Sequence, residues 1–213
     1  MVQRTNLIRG LCDRISSLEG RAIVGVDGVD GAGKTVFAGE LSSILMQSGR
    51  SVIQASVDGF HNDRAHRYRR GKSDPQGFFE DSYNYELLRN DLIDPFRKGK
   101  RKVSVARFNH AIDAEILDTT IVEPSAILVI DGIFLHRDEL VGLWDFSIFL
   151  SVPFSVSYAR LANRDGSNPD PRAVENRRYY EGQQIYLSHC RPAKRATVVV
   201  DNSLIEAPQL LNV

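Results

Sequence analysis

The stretch Gly28-Val29-Asp30-Gly31-Ala32-Gly33-Lys34-Thr35 has the spacing G-x-x-x-x-G-K-T. Glycines at such positions let successive backbone N–H groups turn inward on phosphate oxygens. A helix that begins at the loop adds its N-terminal dipole to the attraction. Lys34 is then placed for the β- and γ-phosphates of a nucleoside triphosphate, and the Thr35 hydroxyl for Mg²⁺. Gly28, Asp30, Gly31, Ala32, Gly33, Lys34, Thr35 and Val36 are the expected cradle. Asp131 closes the apolar run "AILVID" and is expected to hold Mg²⁺ as the second acidic part of such a site. Asp58, in "SVDGFH", is suited to accept or orient the proton of an attacking hydroxyl. Phe60 and His61 are expected to border the acceptor. Arg160 and Arg164 are four apart and share a helix face. With Arg172 beyond "RDGSNPDP", they could neutralise a transferring phosphoryl group from a closing lid spanning 160–173. Arg177 and Arg178 read as surface residues.

These side chains need a scaffold that gathers strand ends. The pattern predicts strands over Ala22–Asp27, Ser51–Val57, Ala126–Asp131, Phe146–Val152 and Ala196–Val200, and one more after "KGKRK". Helices are predicted over Lys34–Gln47, Asn84–Arg97, Phe154–Asn163 and Ala173–Ser188, with an amphipathic helix in residues 1–20. Strands alternating with helices imply a parallel sheet covered on both faces. Strand C-termini in such a sheet converge on the ligand crevice. The polar segment 59–83 is too long for an idle loop and reads as an acceptor-site insertion.

The whole chain, 1–213, reads as one domain. Its 213 residues carry 27 basic and 27 acidic side chains, so no global field draws it to nucleic acid or membrane. The basic run Arg97–Lys102 has no interleaved aromatics and reads as a solvated turn. Cys12 and Cys190 are too few for a disulfide scaffold. No span-length apolar run and no leader pattern is evident, which makes a cytoplasmic protein the expectation.

With these motifs in place, the chain resembles the phosphoribulokinase/uridine kinase family of P-loop kinases. The likeness rests on "GVDGAGKT", "VDGF", "VIDGIFLHRDELVGLWDFSIFLSV", "RLANRDGSNPDP" and "CRPAKRATVVVDNSLIEAP". It implies a three-layer α/β sandwich with a central parallel sheet, flanking helices and a lid. It also implies ATP- and Mg²⁺-dependent phosphorylation of a small-molecule alcohol, and a homo-oligomer is compatible with it. By the resemblance Asp58 and Lys34 are catalytic together with Arg160 and Arg164, Thr35 and Asp131 hold the metal, and Arg164 and Arg172 reach the nucleotide. The acceptor half departs from uridine kinases. Tyr83-Asn84 replaces an aromatic-Asp pair, Phe108-Asn109-His110 replaces Tyr-Asp-Phe, and a tyrosine near His61 is missing. Tyr83, Asn84 and Phe108 remain the expected acceptor-reading positions, with uridine or cytidine as the first candidate and pantothenate- or sugar-type alcohols beside it.

Two other readings compete. A thymidylate-kinase-like enzyme would also use a "DGAGKT"-like loop, but Asp63-Arg64 is followed by alanine and lies too early in the chain. A nucleotide switch without an acceptor leaves Asp58 and the lid arginines unexplained. Within the doubled "GVDG", Asp27 is expected near Asp131, satisfied by Mg²⁺ or a neighbouring hydroxyl. Asp30 is expected to point to the acceptor side, holding a substrate hydroxyl or a basic residue such as Arg67 or Arg69.

Overall fold

A computed structural model describes residues 2–211. Its strands are β1 (Ala22–Gly28), β2 (Val52–Ser56), β3 (Lys102–Asn109), β4 (Ala114–Ile121), β5 (Ile127–Gly132), β6 (Phe146–Ser151), β7 (Val198–Asp201) and β8 (Gln209–Leu211). Six of them form one sheet in the order β2-β5-β1-β6-β7-β8. The first five run parallel, and β8 returns antiparallel along β7. Both β1 and β5 are buried along their whole length, as expected of strands covered on two faces.

Alternation along these strands sorts the core into two layers. Ile23, Leu128 and Ile130 face one apolar cluster, with Leu88, Phe96, Phe134 and Tyr186. Val24, Val26, Ile127 and Val129 face the other, with Leu11 and Ile15 of the helix Val2–Ser16 and Phe37 and Leu41 of the helix Lys34–Gln47. The result is the three-layer α/β sandwich implied by the alternation of elements. The helix Lys34–Gln47 has its predicted limits, ending where Gly49 turns at φ 87°.

Three elements differ from expectation. The segment after Asn84 is helical, but a π turn at Arg89–Ile93 separates Tyr85–Leu88 from Asp94–Arg97. Pro95 offers no N–H for the ladder, and the Asp94 N–H reaches back to Arg89 O. The strand after the basic turn does not join the main sheet. It pairs antiparallel with β4, which the sequence pattern left unassigned. The helix expected from Ala173 begins at Arg177, after a 3₁₀ turn at Val174–Asn176, and continues to Cys190.

The insertion folds as two short helices, Arg64–Arg67 and Pro75–Asp81. It is tied down by the helix Arg177–Cys190, where Gly182 lets the two helices meet. A Cβ at Gly182 would lie 2.8 Å from both Phe78 Cδ1 and Pro75 O. Arg178, expected at the surface, is buried and donates to the carbonyls of Arg67 (2.8 Å), Gly71 (3.2 Å) and Asp74 (2.8 Å). Those carbonyls belong to a loop with few ladder partners of its own, which is why a guanidinium with several donors sits beneath it. Arg177 is exposed and pairs with Glu181, as a surface residue does. Among the described residues no helix is long and apolar enough to cross a membrane.

Candidate active site

β1 runs directly into the glycine loop. Gly31 holds φ +73°, and a Cβ there would stand 2.3 Å from Ser157 O, so only glycine lets the loop lie against the helix Phe154–Asp165. Gly33 is left-handed at φ 89° and begins the helix Lys34–Gln47 with no side-chain cap. An uncapped helix end leaves first-turn N–H groups for a ligand. Three other loop amides are already used. Gly28 N–H donates to Asp27 Oδ1 (2.7 Å), Asp30 N–H to Gln183 Oε1 (2.7 Å) and Ala32 N–H to Val29 O (3.0 Å). Gly28 and Ala32, expected to donate to phosphate, therefore shape the loop instead, and Ala32 is fully buried.

A cavity of about 410 Å³ opens over this loop and the ends of β2 and β5. Asp30, Gly31, Gly33, Lys34, Thr35, Val36, Asp58, Tyr83, Asp131, Arg160 and Arg164 all line it. The Thr35 hydroxyl donates to Asp131 Oδ2 at 2.7 Å, and Lys34 Nζ to Val29 O at 3.0 Å. Burial pushes the Asp131 carboxyl up, against the lowering pull of Thr35 and Lys34. Burial likewise raises Asp30, with Lys34 and Arg164 pulling it down and Asp58 adding to the rise. A buried carboxylate beside a hydroxyl, next to an open helix end, is the oxygen donor set that suits Mg²⁺ and a triphosphate. The residues present fit both groups.

Asp58 stands exposed at the turn after β2. Tyr83 donates its hydroxyl to Asp58 Oδ1 at 3.0 Å. His61 Nδ1 lies 2.9 Å from Asp58 O, and its ring packs on Tyr83 with centroids 4.4 Å apart. A carbonyl can only accept, so Nδ1 is the protonated nitrogen there. The β3–β4 hairpin presses onto this turn. A Cβ at Gly59 would be 2.8 Å from Ala106 Cβ.

Several expected acceptor residues do not reach the cavity. Phe60 is fully buried in the core, because the apolar ring of the "DGF" turn is worth more under β2 than in water. Phe108 is buried on β3 and does not line the cavity. Asn84 caps a helix, its side chain accepting from Leu87 N–H at 2.9 Å. Arg172 is exposed and away from the cavity lining. Arg160 lines the cavity but spends its guanidinium on backbone, donating to Asn202 O (2.8 Å), Ser203 O (3.0 Å) and Gly31 O (3.4 Å). Among the described residues Arg164 pairs with its neighbour Asp165, at 2.9 Å. Asp30 does face the side where Asp58 and Tyr83 stand, yet neither Arg67 nor Arg69 is its partner. Arg67 binds Asp113 (3.2 Å) and Arg69 binds Asp81 (2.5 Å). Burial alone would raise Asp81, but Arg69 and Arg70 hold it below the usual carboxylate range.

Asp27 lies at the strand end beside Asp131 and is satisfied by a neighbouring hydroxyl, as expected, and also by a histidine. It is wholly buried, and its Oδ2 accepts from His136 Nδ1 at 2.6 Å and from the Tyr186 hydroxyl. His136 Nε2 meets Ser147 Oγ at 3.0 Å, and that hydroxyl accepts from Thr197 N–H at 3.1 Å. The Asp-His-Ser order resembles a hydrolase relay, but Ser147 is buried and already partnered. The network anchors the strand end. Sequence spacing held no signal for it, nor for Gln183 or Asn202, whose amide donates to Ala32 O at 2.7 Å across 170 positions.

A parallel sheet whose first strand feeds this glycine loop, with lysine, threonine and aspartate grouped at the strand ends, defines a P-loop phosphotransferase. The chain belongs to the phosphoribulokinase/uridine kinase family, whose model matches residues 23–171. A uridine kinase of Leuconostoc citreum (strain KM20) is 25% identical over 182 residues, covering 84% of this chain and 86% of that protein. The structure of a possible uridine kinase from Bacillus stearothermophilus superposes with a TM-score of 0.73 at 28% identity, covering 91% of this chain and 97% of that one. Phosphoribulokinase from Rhodobacter spheroides shares the fold, with a TM-score of 0.57 at 18% identity over 85% of this chain and 70% of that one.

Proposed function

We infer that the protein is an ATP- and Mg²⁺-dependent kinase that transfers the γ-phosphoryl group to a hydroxyl of a small molecule, with a nucleoside as the first acceptor to try. The observation that carries this is the meeting of Asp58 with Lys34, Thr35 and Asp131 around one cavity. Lys34 and the open N–H groups of the helix end would hold phosphate oxygens. Thr35 and Asp131 would hold Mg²⁺, which when bound spreads the charge of the triphosphate. Asp58, fixed by the Tyr83 hydroxyl, would orient the acceptor hydroxyl and take its proton as the new O–P bond forms. The proton then passes to solvent and ADP leaves. Of the two lid arginines that line the cavity, Arg164 is the one whose guanidinium is not spent on backbone carbonyls and would follow the transferring group.

A second acceptor class, the pantothenate- or sugar-type alcohols, is favoured by a specific observation. Two of the three positions expected to read a nucleoside do not line the cavity: Asn84 caps a helix and Phe108 is buried on β3, while Tyr83 does line it. ADP release measured across nucleosides, pantothenate and sugars tests the reading. Turnover should depend on an added alcohol and fall at least about 10²-fold in Asp58→Asn while ATP binding persists. Undiminished transfer in that variant would remove Asp58 from the role, and ATP binding without transfer to any alcohol would remove the kinase reading itself.

A further inference from the structure

A second cavity, of about 190 Å³, lies beyond His61 from the phosphate loop. Its wall includes His61, Arg67, Ser82, His110, Arg178 and Tyr179. His61 links its wall to the reacting end. His61 donates to the carbonyl of Asp58 at 2.9 Å and stacks on Tyr83 on one side and on His110, at 4.5 Å, on the other. Among the described residues no carboxylate lines it.

The two guanidinium groups in this wall are incompletely matched. Arg178 is buried and donates only to backbone carbonyls, without a salt-bridge partner among the described residues. Burial lowers its pKa, and the nearest carboxylates give only partial support. Asp81 is claimed by Arg69 and Arg70, and Asp74 caps the helix Pro75–Asp81 through Gly77 N–H. Arg67 uses Nη2 on Asp113, at 3.2 Å, while its Nε is buried with no hydrogen-bond partner. A buried charge without full compensation is costly and is relieved by an anion that brings its own acceptors.

We propose that the acceptor is an alcohol bearing an anionic group, a carboxylate or a phosphate, which sits between Arg67 and Arg178 while its hydroxyl lies at Asp58. This rests on the kinase reading above and narrows its substrate class. The chemistry balances as before. The acceptor oxygen forms a bond to the γ-phosphorus, the bridging P–O bond of ATP breaks, ADP departs, and the hydroxyl proton goes to Asp58 and then to water. The pocket's role is to bind the anionic end and set the distance to the hydroxyl.

Matched pairs of alcohols test it, each differing by the anionic group: glycerol against glycerate, ribose against ribose 5-phosphate, and pantothenol against pantothenate. The anionic member of at least one pair should show kcat/KM higher by about tenfold or more, and the carboxylate and phosphate arms say which anion is held. Arg67→Gln should then raise KM for that acceptor about tenfold and leave KM for ATP unchanged. Because that substitution also frees Asp113, a measurement on the unaltered protein accompanies it. Inorganic phosphate or acetate should compete with the acceptor and not with ATP. Preference for the neutral member of every pair, or anions that compete only against ATP, overturns the proposal while leaving the kinase reading intact. Transfer to no alcohol at all overturns both.

Discussion

Tyr83→Phe isolates one hydrogen bond at the reacting carboxylate. The Tyr83 hydroxyl donates to Asp58 Oδ1 at 3.0 Å. Burial, and then the nearby Asp58, push its pKa well above the ordinary value, so the group stays a donor at every working pH. Phenylalanine keeps the ring and its packing on His61, at 4.4 Å. Only the donor is lost. A hydrogen bond to a charged group contributes about 1.5–3 kcal/mol. Asp58 is solvent-exposed, so water replaces part of the loss, and about 1–1.5 kcal/mol remains. At about 1.36 kcal/mol per tenfold, kcat should fall roughly tenfold if the bond is used to orient the base. Steady-state ADP release at saturating ATP and acceptor reads kcat, and a thermal scan checks folding. KM for ATP should stay within about twofold, since no phosphate contact changes. An unchanged kcat in a folded variant would show that Tyr83 does not orient Asp58.

Asp30→Asn should make the protein more stable at neutral pH. The wild-type carboxyl is raised above 3.8 by burial, so the stability it contributes is present below the unfolded value and lost as pH rises through the folded one. The gain seen in urea titrations should therefore shrink as pH falls and vanish below about pH 3.8; a gain that grows in acid would contradict the assignment. Gly31→Ala should cost about 1–2 kcal/mol for the left-handed backbone alone, and the clash with Ser157 O should raise KM for ATP further, a wild-type KM being the refuting result. Arg178→Ala should lower the urea midpoint by an amount worth about 2–4 kcal/mol, because three partly buried carbonyls lose a charged donor. Limited proteolysis of that variant should cut first between residues 67 and 75, and an uncut insertion would argue against the tether.

The parts of the fold visible in the sequence are those where one face or one motif dictates the outcome. β1 and β5 are buried on both sides, so their unbroken apolar runs mark them, and the helix after the glycine loop begins at the lysine that phosphate chemistry requires. β4 escaped notice because it is paired only with β3 and stands half in water, which leaves "AEILDTTI" without a dominant face. In the site, the loop, Asp58 and Asp131 follow from types and spacing. The acceptor side does not. Whether an aromatic at the "DGF" turn points to the substrate or to the core depends on the depth of β2, and Phe60 goes to the core. Asn84 has the right type for reading a ligand and an equally good one for capping, and local backbone geometry decides for the cap. The partners of Asp27 arrive from 109 and 159 positions away, a distance over which no periodicity carries information.

The helix Arg177–Cys190 grips both halves of the molecule at once. Gln183 and Tyr186 hold the loop and the strand end behind it, while Arg178 and Gly182 hold the insertion. Acting as a rocker beam between two loads, it makes each half answer to movement of the other. A ligand that stiffens the insertion through this helix and one that stiffens the loop would, by thermodynamic reciprocity, change each other's affinity by one shared factor.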